Sequence, residues 1–197
     1  PVLDEEKTPI KAITFGPNCD APFSTTSLFN ISGMSYGAIS KPAVLALSKG
    51  AALAGCWMNT GEGGLSEWHL QAGCDIVFQI GTANYGLRND QGQFCEDKLR
   101  TIAAHESVKM IELKLSQGAK PGKGGILPGA KVTNEIANIR QIPVGETSNS
   151  PNRHIDIGND DELLDKINKI RIITGKPVGF KAVLGDGYWL NNLLETI

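Results

Sequence analysis

The sequence has few cysteines, no long apolar run and no excess of charge of either sign. Its four cysteines are scattered, with no CxxC pair and no histidine at ligand spacing. This spacing argues against a zinc site and against a disulfide framework, so we predict no bound metal and a reducing, cytoplasmic location. No apolar run reaches the roughly 20 residues that a membrane-spanning helix needs, and the N-terminus lacks a signal-peptide pattern. We therefore expect no membrane association.

Length and charge narrow the class of protein further. The chain has 197 residues, of which 41% are hydrophobic and 20% charged, as expected for one globular domain. The formal net charge is −2 and the two signs are interspersed, so nucleic acid is not an expected partner. The sequence starts at Pro1 without a methionine, and we expect a fragment or a processed product.

A glycine-rich stretch from Gln117 to Gly129 directly follows the apolar run Val108 to Leu115, which is predicted to be a buried strand. Glycines let backbone N–H groups approach a ligand closely, and Lys114 and Lys120 offer ammonium donors to a carboxylate, a phosphate or a flavin carbonyl. The composition favours an anion site, with a solvated turn as the alternative. The stretch is not a P-loop, because the Gly-Lys-Ser/Thr ending is missing.

The order of apolar segments predicts a parallel α/β protein with glycine-rich loops at the strand ends. Strands are predicted at 28–32, 56–59, 76–80, 108–115 and 177–184, with helices between them. An eight-stranded barrel needs about 250 residues. We therefore predict roughly the first half of a (β/α)8 TIM barrel over residues 28–197, after an irregular lead-in over residues 1–27. An open parallel α/β sheet is the alternative fold.

Two loops after predicted strands carry candidate ligand contacts. The first contains Gly33, Met34 and Ser35, where small residues favour the close approach of a flat ring, although Met34 could equally belong to the core. The second contains Asn59, Thr60 and Glu62 among glycines. A carboxylate on bare backbone could accept from a ligand amine or pair with a lysine, and an exposed turn acid is the alternative.

Two basic residues further along the chain are candidates for binding. Lys181 interrupts an apolar strand, where a lysine requires an anionic or dipolar partner unless it reaches water from an edge strand. Arg140 ends a short predicted helix from which it could clamp a substrate carboxylate, although most such arginines are solvated.

Five strings resemble the FMN-binding, 2-oxoglutarate-aminating domain of glutamate synthase and its stand-alone relatives. They run from about Phe29 to the C-terminus, in the order SGMSYGAIS, NTGEGG, QGAKPGKGGILPGAKV, SPNRHIDI and GFKAVLG. The resemblance implies a β/α barrel in which reduced FMN converts 2-iminoglutarate, formed from 2-oxoglutarate and ammonia, to L-glutamate. It implies catalytic roles for Glu62, Lys114 and Lys181 and substrate binding by Glu62, Lys120 and Arg140. It also implies FMN contacts from Gly33, Met34, Ser35, Asn59, Thr60, Gln117 and Lys181.

The chain departs from the family pattern in two ways. The cysteines of the family's iron–sulfur cluster lie downstream of the residue matching Lys181 and are not in this chain. Ile126 stands where the family usually has a glutamine that helps to hold 2-oxoglutarate, and isoleucine cannot donate a hydrogen bond, so the exact 2-oxo acid is left open. The electron donor is also left open.

A second hypothesis is that the polypeptide is an inactive half-barrel. It would cover its sheet edges with another copy or with a complementing C-terminal half, because unpaired strand edges demand partners. Whether this chain is itself an enzyme therefore stays open at the level of sequence.

Overall fold

The computed structural model describes residues 10–118, 120, 122–185 and 187–196. In chain order its elements are β1 (Ile13–Phe15), β2 (Phe23–Thr25), α1 (Lys41–Ala54), β3 (Met58–Asn59), α2 (Glu67–Leu70), β4 (Ile76–Ile80), α3 (Glu96–Ala103), β5 (Val108–Lys114), β6 (Ile126–Leu127), a 3-10 turn (Gly129–Lys131), α4 (Asn134–Arg140), β7 (Ser148–Asn149), α5 (Asp160–Thr174), β8 (Val178–Lys181) and α6 (Tyr188–Glu195).

The main sheet has four parallel strands in the order β3-β4-β5-β8. Strands that follow one another along the chain are therefore neighbours in space, with helices in the connections. This confirms the predicted mixed α/β class with a parallel sheet. Within the described residues the sheet does not close into a barrel, and the partial TIM barrel stays a prediction.

The two faces of the sheet differ in chemistry because successive strand residues point to opposite sides. On one face, Phe78 of β4 and Leu113 of β5 join the main core with the buried sides of α1, α3 and α5. On the other face, Val77 and Met110 contact an aromatic cluster, and the next residues on that face of the two strands are Gln79 and Glu112. The second face is thus apolar at one end and polar at the other.

The long helices begin and end where their capping residues predict. The Ser40 side chain accepts a hydrogen bond from the Ala43 N–H at the start of α1, and Gly55 ends that helix in the left-handed conformation. Thr133 caps α4 in the same way, and α5 covers Asp160–Thr174 with Gly175 as its C-cap. Apolar residues at helical spacing predict a helix over 94–107, and the observed helix α3 is shorter, at Glu96–Ala103.

The lead-in contains regular structure, which corrects the prediction of an irregular segment over residues 1–27. β1 and β2 form an antiparallel hairpin in which Phe15 lies opposite Phe23. Both rings contact Trp57, with centroids 5.6 and 6.2 Å away, and cover Val77 and Met110. Removing these rings from water stabilises the hairpin, although its strands have only three residues each. Residues 1–9 of the predicted lead-in lie outside the described residues.

The strand predicted at 28–32 is reduced to a single bridge. Ile31 donates its N–H to the Trp57 carbonyl and accepts from Asn59, while Phe29 is 86% exposed. The Ser27 hydroxyl donates to the Phe29 carbonyl, which turns the chain locally and competes with strand pairing. Of the two alternatives for Lys181, the structure shows the edge strand: β8 pairs only with β5 among the described strands, and Lys181 is exposed there.

Two glycines of α1 give a matched test of these helix boundaries. Gly50 lies inside the helix, and a Cβ added there would meet no atom within 4 Å. We expect Gly50→Ala to raise the free energy of unfolding by about 0.5–1 kcal/mol, because alanine loses less backbone entropy. Gly55 has a φ of +63°, so Gly55→Ala should lower the free energy of unfolding by about 1 kcal/mol. Urea denaturation measures both, and equal effects would contradict the assigned end of α1.

Candidate active site at the carboxyl ends of the strands

A buried carboxylate, that of Glu62, lies where the carboxyl ends of three neighbouring strands meet. Its Oε2 accepts from the Lys114 ammonium at 3.1 Å and from the Gln117 amide at 2.7 Å, and its Oε1 accepts from the Ser150 hydroxyl at 3.3 Å. Glu62 follows β3, Lys114 ends β5 and Gln117 begins the glycine-rich loop. The structure therefore brings together three predicted site residues and adds Ser150, which the sequence did not indicate.

Glycines on both sides leave room for this carboxylate. A Cβ on Gly81, directly after β4, would lie 2.5 Å from the Glu62 Cβ, and one on Gly125 would lie 2.4 Å from its Oε1. Gly124 is equally constrained, since its Cβ would lie 1.5 Å from the Ser150 carbonyl oxygen. These positions require glycine for close approach rather than for an unusual φ. The glycine-rich loop is thus packed against the carboxylate at Gly125 and against the Ser150 backbone at Gly124.

A second polar cluster lies below the first on the same face of the sheet. Glu112 Oε1 accepts from the Asn59 amide at 2.9 Å and also from the Gln79 amide. The Asn59 Oδ1 accepts the Gly61 N–H at 2.9 Å, and the buried Thr60 hydroxyl accepts the Gln79 N–H at 3.0 Å. The side chains of Asn59 and Thr60 therefore already make hydrogen bonds within the protein. The FMN contacts predicted for these residues stay predictions.

An open cavity of about 470 Å³ adjoins this cluster. Its lining includes Gly33, Asn59, Glu112, Phe180 and Lys181. A Cβ on Gly33 would lie 2.6 Å from the Asn59 Oδ1, so the chain passes close to the cluster there. The cavity offers an aromatic ring, a carboxylate and an ammonium to a ligand.

Arg140 is buried at the end of α4 rather than exposed. Its Nη2 donates to the Tyr36 carbonyl at 3.1 Å, and its guanidinium lies 5.0 Å from the centre of the Tyr85 ring. Its Nε has no partner among the described residues. Burial lowers the pKa of Arg140, while Tyr85 and Glu62 act in the opposite direction. The predicted clamp on a substrate carboxylate stays a prediction, and the observed contacts hold Tyr36 beside the Glu62 loop.

Tyr36 is held at two points by α4. Its carbonyl accepts from Arg140, and its hydroxyl donates to Glu135 at 2.7 Å. Burial and this hydrogen bond raise the pKa of Tyr36 to about 12. The other Glu135 oxygen accepts from the Trp68 indole at 2.5 Å, so Glu135 connects α4 to α2.

The remaining predicted residues lie at the rim of the site. Met34 and Ser35 contact the Glu62 loop through their backbone, since a Cβ on Gly61 would lie 2.6 Å from the Ser35 nitrogen. Lys120 is exposed in the glycine-rich loop, and its N–H donates to the Gln117 carbonyl at 3.3 Å. Residues 119 and 121 of this loop lie outside the described residues.

His154 is a buried residue for which the sequence indicated no role. Its Nε2 lies 2.9 Å from the Lys114 carbonyl, so this nitrogen carries the proton, and its Nδ1 has no partner among the described residues. Desolvation lowers the pKa of His154. The histidine fixes the end of β5 from which Lys114 reaches Glu62. The alternation of Glu112 and Lys114 in β5 was the available signal for a polar face, whereas nothing local marked His154.

Two kinds of feature are absent from the part of the chain that the structure describes. Within the described ranges, no group of three or more His, Cys, Asp or Glu side chains is placed to hold a metal ion. None of the helices in the described part of the chain has the length and apolarity needed to cross a membrane.

The chain belongs to the glutamate synthase family, because the family model for a conserved region in glutamate synthase matches residues 3–192. This confirms the resemblance and extends it from Phe29 back to residue 3, so the β1–β2 hairpin lies inside the family region. The chain is 47% identical over 178 residues to the glutamate synthase large subunit-like protein YerD of Bacillus subtilis, covering 90% of this chain and 34% of that protein.

Two further relatives are similar over a shorter region. An archaeal-type glutamate synthase (NADPH) of Thermotoga maritima is 39% identical over 75% of this chain and 27% of its own length. An archaeal glutamate synthase (NADPH) of Methanocaldococcus jannaschii is 38% identical over 77% of this chain and 28% of its own length. The chain thus spans about a third or less of the length of these curated relatives.

The ion pair between Lys114 and Glu62 is expected to contribute to stability. Both side chains are largely buried, so Lys114→Met leaves the carboxylate without its cation and should lower the free energy of unfolding by about 1–3 kcal/mol. Lys181→Met is the matched control, because Lys181 occupies the paired position on β8 but is exposed, and it should change stability by less than about 0.5 kcal/mol. Denaturant unfolding of both variants checks this, and similar losses would contradict the burial of the pair.

Buried neutral histidine should make stability depend on pH. Folded His154 has a lowered pKa, whereas an unfolded histidine binds a proton below about pH 6.5. The unfolded state therefore takes up more protons as the pH falls, and the free energy of unfolding should decrease between pH 7 and 5.5. His69, whose pKa desolvation lowers to about 4, contributes in the same direction. His154→Gln should reduce the slope of unfolding free energy against pH, and an unchanged slope would contradict this.

Proposed function

We propose that the chain provides part of an FMN-dependent glutamate synthase site that reduces 2-iminoglutarate, formed from 2-oxoglutarate and ammonia, to L-glutamate. The observation that carries the proposal is the buried Glu62 carboxylate, held by Lys114 and Gln117 at the carboxyl ends of the parallel strands. In parallel α/β folds these ends are where ligands bind. Membership of the glutamate synthase family supports the same reaction.

The residues around the cavity fit the ring of a flavin. A volume of about 470 Å³ lies within the usual range of about 300–1,000 Å³ for small-molecule sites. A flavin ring presents carbonyl acceptors and an N–H donor along one edge, and Lys181 and Glu112 offer the complementary ammonium and carboxylate. The Gly33 backbone lines the same cavity. When bound, FMN supplies hydride transfer.

Each of the predicted site residues discussed next has a defined task in this proposal. Lys114 and Gln117 hold Glu62 in one position, where its carboxylate accepts an N–H from ammonia or from the imine. Lys181 places positive charge in the cavity, where it would offset negative charge on a reduced ring. Lys120, exposed on the glycine-rich loop, would pair with a substrate carboxylate. Arg140 would contribute through its Nε.

A second candidate is favoured by the free edge of β8. Among the described strands, β8 pairs on one side only, and its unpaired side offers backbone donors and acceptors. In this hypothesis the polypeptide is inactive alone and associates with another copy or with a complementing chain. Light scattering distinguishes the two candidates, since a purely monomeric, well-folded chain would argue against this one.

Flavin binding tests the first candidate directly. We expect FMN to bind weakly to the 197-residue chain, with a Kd on the order of 0.1–1 mM, because in barrels the phosphate contacts usually come from loops after the last strands. A longer polypeptide that covers the full length of the relatives should bind FMN more tightly. Titration followed by flavin fluorescence measures the affinity.

Two lysine variants serve as target and control in this titration. Lys181→Met removes the cavity ammonium and should weaken FMN binding by about tenfold, the effect of one charged hydrogen bond. Lys49→Met changes an exposed lysine on α1 and should leave the affinity unaltered. Absence of binding at 1 mM FMN, a concentration chosen as roughly the upper end of the expected range, or equal behaviour of the two variants would reject the assigned site.

A further inference from the structure

Glu112 lies in the middle of β5, on the sheet face that does not contact the main core. Its Oε1 accepts two amide hydrogen bonds, from Asn59 at 2.9 Å and from Gln79. The other end of the Asn59 amide accepts the Gly61 N–H at 2.9 Å. A continuous chain of hydrogen bonds therefore runs from Glu112 to the residue that precedes Glu62.

The direction of these hydrogen bonds follows from the donor inventory. An ionised carboxylate only accepts, so the NH₂ group of Asn59 must face Glu112. The Asn59 oxygen is then turned toward Gly61, where it meets a backbone donor. The reversed amide would set its NH₂ group against the Gly61 N–H, and two donors would repel each other. Glu112 thereby fixes which way the Asn59 side chain points.

The Glu62 loop has little freedom to compensate for a changed amide. Gly61 has a φ of +66°, and a Cβ there would lie 2.6 Å from the Ser35 nitrogen and 2.8 Å from the Met34 carbonyl carbon. Beyond Gly61, the Glu62 side chain lies between Gly81 and Gly125. A small rotation at Gly61 would move the carboxylate against one of these backbones.

We propose that Glu112 is a positioning residue of the site: through Asn59 and the Gly61 N–H it sets the loop that presents Glu62. The functional consequence rests on the proposed function, in which Glu62 contacts the substrate. This positioning role is separate from the contact that the Glu112 carboxylate would make with a flavin in the cavity, because it acts through Asn59 and Gly61. The inference also gives Gln79 a separate task, since it binds the same oxygen without touching Gly61.

Hydrogen exchange of the Gly61 amide tests this positioning in the 197-residue chain labelled with ¹⁵N. Glu112→Leu removes the acceptor and should speed Gly61 exchange by about tenfold relative to the Ile76 amide, which donates to the Ser107 carbonyl in the sheet. Glu112→Gln keeps an acceptor oxygen at the same length and should stay within about threefold of the unmodified chain. Faster exchange at both amides would mean general destabilisation and would overturn the proposal.

Variants of the two amides separate positioning from simple packing. Gln79→Leu removes the other hydrogen bond to Glu112 and should leave Gly61 exchange within about threefold. Asn59→Leu should reproduce the effect of Glu112→Leu, and combining them should add nothing, because both interrupt one chain of hydrogen bonds. Additive effects, or an equal effect of Gln79→Leu, would overturn the proposal. If Glu112→Leu does not fold, Glu112→Ser, which admits water, replaces it in the same comparison.

These measurements are made without flavin, so the positioning role can be disproved separately from the proposed function. Unchanged Gly61 exchange in the Glu112 variants overturns the positioning role even if FMN binds. Faster Gly61 exchange in Glu112→Leu, with the Ile76 amide unchanged, supports that role even if the chain binds no FMN.

Discussion

The burial of the Glu62 carboxylate is the constraint on which the rest of the site depends. A carboxylate removed from water is unfavourable unless its oxygens are paired. Here the partners come from two separate segments: Lys114 and Gln117 from the end of β5 and the loop after it, and Ser150 from the chain directly after β7. Pairing with Glu62 holds each of these segments in place, and each segment in turn stabilises the buried carboxylate. Because the carboxylate lies between Gly81 and Gly125, the backbone follows it closely, and the loops after β3, β4 and β5 form one structure.

The sheet supports this arrangement by giving its two faces different tasks. The face with Phe78 and Leu113 is packed against helices and provides most of the apolar burial. The opposite face needs no such packing at its carboxyl end, so it can carry Gln79 and Glu112 at adjacent positions on neighbouring strands. The β1–β2 hairpin covers the remaining apolar part of that face through Phe23, which separates the stabilising contacts from the polar cluster.

The sequence predicted those features whose signals are local. Capping residues such as Ser40 and Gly175 set helix ends through their own hydrogen bonds or φ angles, and the apolar runs of β4 and β5 fixed the strands. Features that depend on distant partners were missed. The hairpin is stabilised by Trp57, and His154 is buried against the Lys114 carbonyl, 40 residues away. The sequence predicted the pairing of Glu62 with a lysine only as one alternative, because the residues around Glu62 do not show which distant residue lies against it. The partner, Lys114, is 52 residues away.

Ile126 has a consequence for how a substrate would be held in the proposed site. It pairs with Asn149 in β6, is 60% exposed, and adjoins Gly125 at the Glu62 carboxylate. An isoleucine there adds apolar surface and no hydrogen-bond donor, so in the proposed reaction the substrate carboxylates must find their donors elsewhere. Arg140 already donates to the Tyr36 carbonyl, which leaves the exposed Lys120 as the more mobile cation near the loop. An ammonium on a flexible stem pairs with anions as a point charge, so in the proposed site Lys120 would select the charge of a 2-oxo acid more strongly than its shape.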